Sequence, residues 1–280
     1  MDLPVTPEET VALLTECVRT KTVNPPGEEA RLTEVLARYF EAEGVDVEVQ
    51  TLSPGRANLL AHLRGAGERP ALIFSAHTDT VGPGEMPWER DPWSGRVEGG
   101  RLYGRGASDM KGAVALLLEL FERLGPEGRA RLPVEPLVVL YDREEGPYDQ
   151  NGLGPVLEAR RDLRNVSLAL CLEPTDLALQ IGCCGALHAT FSFAGRTAHS
   201  ARPWQGENAV HKAGALLQWL QQRKPRDVSF TADDAGETFE LLFREVISCT
   251  RIDGFSGRNV VPARCDLNLN YRFAPGRSVE

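Results

Sequence analysis

A chain of 280 residues, 42% hydrophobic and 25% charged, suits a globular protein of one large or two ordinary domains. Its net charge of −9 argues against nucleic acid or an anionic membrane as a partner, since both call for basic patches. No apolar run approaches the ~20 residues that span a bilayer, and MDLPVTPEET lacks the basic and apolar segments of a secretory signal, so a cytoplasmic location is expected.

Thr6-Pro7-Glu8-Glu9 reads as a helix start, with Thr6 as N-cap and Glu9 completing a capping box; the helix should run to about Arg19. An amphipathic helix follows Gly27, with Leu32, Val35, Leu36, Tyr39 and Phe40 on one face, and ends at Gly44. Residues 45–49 and 58–63 read as strands. Residues 71–74 form a short apolar run that reads as a buried strand and leads into SAHTDTV at 75–81. His77 then sits at the strand's C-terminal end, where open α/β sheets keep their ligands. A neutral imidazole binds a metal through one nitrogen while a carboxylate takes the other N–H, and Asp79 is placed to do that. One such pair alone would suit a surface loop better.

Residues 82–100, rich in Gly, Pro and Trp, form an irregular loop of a length that is usually functional or disordered. It leads into LYGRGASDMKG at 102–112. The glycines and Lys111 invite a phosphate-loop reading, but Lys111-Gly112-Ala113 departs from the Gly-Lys-Ser/Thr order. Taken alone, Asp109 reads as the N-cap of a helix over 112–124. A β-rich run at 137–141 is followed at once by Asp142-Arg143-Glu144-Glu145-Gly146, and a strand at 166–172 by Glu173-Pro174-Thr175. Each of these acids alone would suit a solvated turn.

The combination points elsewhere. Three buried-type strands end in metal-capable residues (His77, Glu144/Glu145 and Glu173), with Asp109 on a Gly-rich loop between the first two. As neighbours in one parallel sheet, their ends would converge on one rim. Asp79, Asp109, Glu144, Glu145 and Glu173 would then crowd together. Two like charges about 4 Å apart repel by about 4 kcal/mol at an effective dielectric of about 20. Such a cluster calls for cations or protons, and histidine with carboxylates suits zinc or a similar transition metal.

Beyond Leu177 the character changes. A strand is expected at 187–193, a polar turn with His199 at 194–201, a helix at 209–220, a strand at 239–249 and one or two more at 259–273. This β-α-β-β order suggests an α+β unit of split βαβ type, short of a second helix and a fourth strand. Residues 275–280 read as a turn and an N-cap, so the unit is expected to be cut mid-domain. The six cysteines include no CxxC pair, and most are expected to be buried thiols.

SAHTDTV, GRGASDMKG, the EE pair of YDREEG, CLEPT and GRTAHSA resemble, in order and spacing, the motifs of the two-metal amidohydrolases that include succinyl-diaminopimelate desuccinylase and acetylornithine deacetylase. YDREEGPYDQNGLG, AHSARPWQGENAVHKAG and NLNYRFAPGR resemble the desuccinylase branch more. The resemblance implies an α/β, zinc-peptidase-like catalytic domain over residues 1–180, its mostly parallel sheet flanked by helices. A smaller α+β dimerisation or lid domain, incomplete here, would occupy 181–280. It implies two divalent ions, zinc first, with cobalt or manganese as alternatives. His77 and Glu173 would bind one metal, Glu145 the other, and Asp109 both. Asp79 would orient His77, Glu144 would be the general base, and the Asp109–Met110 peptide would be cis. His199 would serve the active site of a partner subunit in a homodimer, and Asn259 and Arg272 would contact substrate. The expected reaction is hydrolysis of N-succinyl-LL-2,6-diaminopimelate. The alternatives are another N-acyl amino acid, a dipeptide, or a non-catalytic binding module. The family's second metal takes a further histidine from a later part of the catalytic domain, so the 280 residues alone are expected to be weak or inactive.

Overall fold

The computed structural model describes residues 7–42, 44–63, 71–234 and 237–276, which fall into two compact units dividing after Leu177. The Thr6 cap and the N-cap read at residues 277–280 lie outside the described residues.

The first unit opens with helices α1 (Pro7–Arg19) and α2 (Glu29–Ala42), then strands β1 (Asp46–Ser53), β2 (Arg56–His62) and β3 (Ala71–His77). The short hairpin β4 (Arg96–Glu98) and β5 (Arg101–Tyr103) precedes α3 (Gly112–Ala130), β6 (Glu135–Tyr141), α4 (Leu153–Ala159) and β7 (Leu168–Cys171). The main sheet has the order β1-β2-β6-β3-β7. It is mixed: β3 runs parallel to β6 and β7, while β2 is antiparallel to both β6 and β1.

Period-two alternation builds its core. Val138 and Leu140 of β6 and Leu59 and Ala61 of β2 face Leu13, Leu32, Leu36, Phe40, Val114 and Phe121 from the first three helices. Leu137 and Val139, with Leu60 and Ile73, pack on the other face against Val156 and Leu163. Helices thus cover both faces, as parallel strands require. The third helix continues past the expected end at Leu124, but with a break at Gly125 (φ 54°), after which Pro126 opens a further turn.

The second unit comprises β8 (Gly185–Ala194), β9 (Ala198–His199), α5 (Ala209–Gln221), β10 (Arg226–Asp234), β11 (Glu237–Asp253), β12 (Val260–Val261) and β13 (Arg264–Phe273). Four strands form an antiparallel sheet in the order β10-β11-β13-β8. Helix α5 covers one face through Ala209 and Ala213 against Cys265 and Leu267, and its N-cap Asn208 accepts from the N–H groups of Val210 and His211. The sheet has four strands because β10, which the sequence reading did not foresee, lies between α5 and β11. Its apolar signal is thin, because Val228 and Phe230 are only half-buried among exposed polar neighbours. Only Cys17 and Cys265 are buried, which corrects the expectation of mostly buried thiols. Cys171 lies on edge strand β7 and Cys183 in the segment before β8, where side chains face out.

Candidate metal centre

The register of three strands brings the expected residues to one rim. His77, last in β3, pairs with Tyr141, last in β6, and Ser75 pairs with Cys171, last in β7. The chain therefore leaves three neighbouring strands at one level: His77 is on the middle strand, Glu144 and Glu145 lie just past one neighbour and Glu173 past the other. The fourth contribution comes from the loop before α3. There the Asp109–Met110 peptide is cis, Gly106 adopts φ 82°, and Met110 sulfur accepts the His77 backbone N–H at 3.3 Å.

The His77 imidazole is 1% exposed and its two nitrogens face different partners. Nε2 stands 2.9 Å from Asp109 Oδ1 and 3.9 Å from Glu173 Oε1. Nδ1 stands 3.3 Å from Asp79 Oδ1 and 3.1 Å from the Asp79 carbonyl oxygen. The wholly buried Asp79 carboxylate accepts the N–H of Glu144 on Oδ1 (3.0 Å) and those of Glu145 and Asn24 Nδ2 on Oδ2 (both 3.1 Å). Asp79 is thus the hub that ties the imidazole to both glutamates.

Two ligand sets share the histidine: His77, Asp109 and Glu145, and His77, Glu144 and Glu173, each with its ligand atoms within 4.8 Å of one another. Ligand atoms around one tetrahedral zinc at ~2.0–2.2 Å stand ~3.3–3.6 Å apart. The 2.9 and 3.9 Å separations from His77 Nε2 bracket that spacing, so the residues fit a metal. The second set includes Glu144, to which the resemblance gives a proton-transfer role and not a metal.

The electrostatics agree with the fit. Burial alone would lower the His77 pKa, but hydrogen bonds to Asp79 and Asp109 and the charges of Asp79 and Glu173 raise it to about 9. Burial, and then neighbouring carboxylates, raise Glu145 and Glu173 above the usual carboxylate range, although His77 opposes this. Burial would raise Asp79 too, but the contacts with His77, Asn24 and the Glu144 N–H hold it low. A proton on His77 thus partly occupies the place of a cation.

In the second unit, His199 on β9 pairs with Val260, and the Ser200 N–H donates to the Asn259 carbonyl at 2.9 Å, so His199 and Asn259 share one short ribbon. His199 Nδ1 accepts the Ala201 N–H at 3.1 Å, which leaves Nε2 to carry the proton of the neutral ring. Arg272, on β13, donates from Nε to Asn270 Oδ1 at 3.2 Å.

The sequence reading missed two residues around the centre. Lys111, wholly buried, donates to the carbonyls of Cys17 (2.9 Å) and Thr20 (2.8 Å) and ties the Asp109 loop to the end of α1. Asn24 reaches Asp79 across 55 residues of sequence. Lys111 lies in the GRGASDMKG motif, but nothing local announces its reach to the end of α1, and no motif announces Asn24.

Residues 73–270 match the profile of Peptidase family M20/M25/M40. A Gluconobacter oxydans succinyl-diaminopimelate desuccinylase is 34% identical over 282 residues, 95% of this chain and 68% of its own length. A Mycobacterium tuberculosis protein named for the same activity is 34% identical over 253 residues, 90% of this chain but 64% of its own length, so the chain spans less than two thirds of that relative. Among solved structures, the Sulfolobus solfataricus M20 metallo-carboxypeptidase is similar with a TM-score of 0.66 at 17% identity, over 99% of this chain and 72% of that one. A Bacillus subtilis M20 peptidase described as binding a dinuclear metal has a TM-score of 0.56 at 15% identity, over 96% and 65%. The chain belongs to Peptidase family M20/M25/M40.

Proposed function

We propose that the protein hydrolyses the amide of an N-acyl amino acid, with N-succinyl-LL-2,6-diaminopimelate as the substrate and succinate and LL-2,6-diaminopimelate as the products. The observation that carries this reading is the pair of ligand sets that share His77, one with Asp109 and Glu145 and the other with Glu144 and Glu173. The names of the desuccinylase relatives support the choice of substrate. His77 and Glu173 would hold one divalent ion, Glu145 a second, and Asp109 both. Zinc is the first choice, with cobalt or manganese as alternatives; the relative described as dinuclear supports the pair. When bound, such ions acidify water and polarise the scissile carbonyl.

The chain's own residues do the rest. Asp79 fixes the imidazole so that Nε2 faces the ligand cluster. Glu144, whose main chain is pinned by Asp79, takes a proton from the attacking water. The hydroxyl joins the carbonyl carbon, the C–N bond breaks, and the proton passes from Glu144 to the leaving amine. His199, with Nε2 as donor, would stabilise the oxyanion in the site of a partner subunit within a homodimer; Asn259 and Arg272 would bind substrate carboxylates. A cytoplasmic enzyme acting on a small polar molecule is part of the same reading. The acidic charge argues against a nucleic-acid or anionic-membrane partner, and no helix among the described residues is long and apolar enough to cross a membrane.

Two substitutions test the assignment. Glu144→Gln keeps an amide in place of the base, so metal content should hold while turnover drops at least 100-fold. Glu145→Gln should instead weaken metal binding in equilibrium dialysis. Unchanged turnover in Glu144→Gln would remove that residue from the chemistry.

A further inference from the structure

Residues 20–27 form a strap against the back of the centre. Val23 bridges Thr80 in parallel, the Thr80 N–H donates to Thr22 O, and the Asn24 N–H donates to Thr80 O, both at 2.9 Å. The Thr22 hydroxyl donates to Thr78 O at 2.7 Å, and the Arg143 guanidinium donates to Pro26 O at 3.0 Å. The strap is therefore fastened both to the loop after His77 and to the turn that carries Glu144 and Glu145.

One side chain of this strap reaches the hub. Asn24, 8% exposed, donates from Nδ2 to Asp79 Oδ2 at 3.1 Å. A Cβ at Gly146 would come within 2.8 Å of that nitrogen, so the amide is packed between Asp79 and the glycine that follows Glu145. A carboxylate offers about four lone-pair sites. Those of Asp79 face the Glu144 N–H and His77 Nδ1 on Oδ1, and the Glu145 N–H and Asn24 Nδ2 on Oδ2. All are taken, and among the described residues Asn24 is the one side-chain donor on Oδ2. Without it, a wholly buried lone pair loses its partner and Oδ2 is held by the Glu145 N–H alone, so the carboxylate is less firmly oriented toward the imidazole and both glutamate peptides.

We propose that Asn24 is a positioning residue of the metal centre, acting through Asp79 on His77 and on the Glu144–Glu145 turn. The inference rests on the metal-binding reading above. The test is cobalt(II) binding to the whole chain, measured by competition with a chromophoric chelator and by visible absorption, which reports ligand geometry independently of turnover. Asn24→Ala should weaken binding ~10–100-fold, the range for groups that orient metal ligands, and shift the absorption bands. Asn24→Asp should bind still more weakly, since it sets a second carboxylate against Asp79. Thr22→Val removes a bond of the same strap that does not touch Asp79, and should stay within about twofold of the parent. If Asn24→Ala fails to fold, the near-isosteric Asn24→Asp decides. Affinities within twofold and unshifted bands in the Asn24 variants, beside a parent that binds cobalt, would overturn the inference and leave the metal reading intact. An equal loss in Thr22→Val would also overturn it, because the strap as a whole would then be responsible. A parent that binds no cobalt would overturn both.

Discussion

At the scale of single residues, the chemistry turns on His77. Its pKa in the metal-free fold is raised to about 9, from an ordinary 6.5, by surrounding carboxylates that outweigh its burial. A proton and a metal therefore compete for Nε2. Near pH 7.5 the metal-free ring is protonated, so metal uptake should expel close to one proton from it, and apparent affinity should rise with pH until about 9. Calorimetry in buffers of different ionisation enthalpy reads that proton directly; uptake with no proton release would contradict the assignment. The linkage for stability runs the same way. A raised pKa contributes fully below 6.5 and is lost as pH rises through 9, so the melting temperature of the metal-free protein should fall across that window.

At the scale of elements, the loop before α3 is set by close approach. Gly106 has φ 82°, and a Cβ there would stand 2.6 Å from Thr80 Cγ2, two residues from the centre of the SAHTDTV loop. Gly84 has the same left-handed backbone (φ 83°) with open space around it. Both alanine variants pay about 1–2 kcal/mol for the backbone, but only Gly106→Ala also pushes the Asp109 loop away from His77. Gly106→Ala should therefore lose more thermal stability than Gly84→Ala and should bind cobalt more weakly; equal losses in both would show that the contact does not matter.

The strands leading to His77, to Glu144 and Glu145, and to Glu173 were legible because each is an apolar run followed at once by metal-capable residues, and the cis peptide was legible only through the family resemblance of its motif. Strand β10 was not, because its alternation rests on two half-buried residues, Val228 and Phe230, in a polar segment. Asn24 and Lys111 were not, because each acts on atoms 55 to 94 residues away, and no local spacing encodes that.

At the scale of the molecule, the first unit gathers His77, Asp109, Glu144, Glu145 and Glu173 on one rim, while the second carries His199 and Asn259 on a ribbon beside a four-stranded sheet with one helix on one face. The central claim is that the rim is a metal centre. It is tested most directly by crystals grown with zinc and an anomalous difference map collected at the zinc edge. The account predicts density bounded by His77, Asp109, Glu145 and Glu173, with ligand distances of ~2.0–2.2 Å and Asn24 still bonded to Asp79. A map with no peak among those residues, or with His77 Nε2 turned away from one, would contradict it.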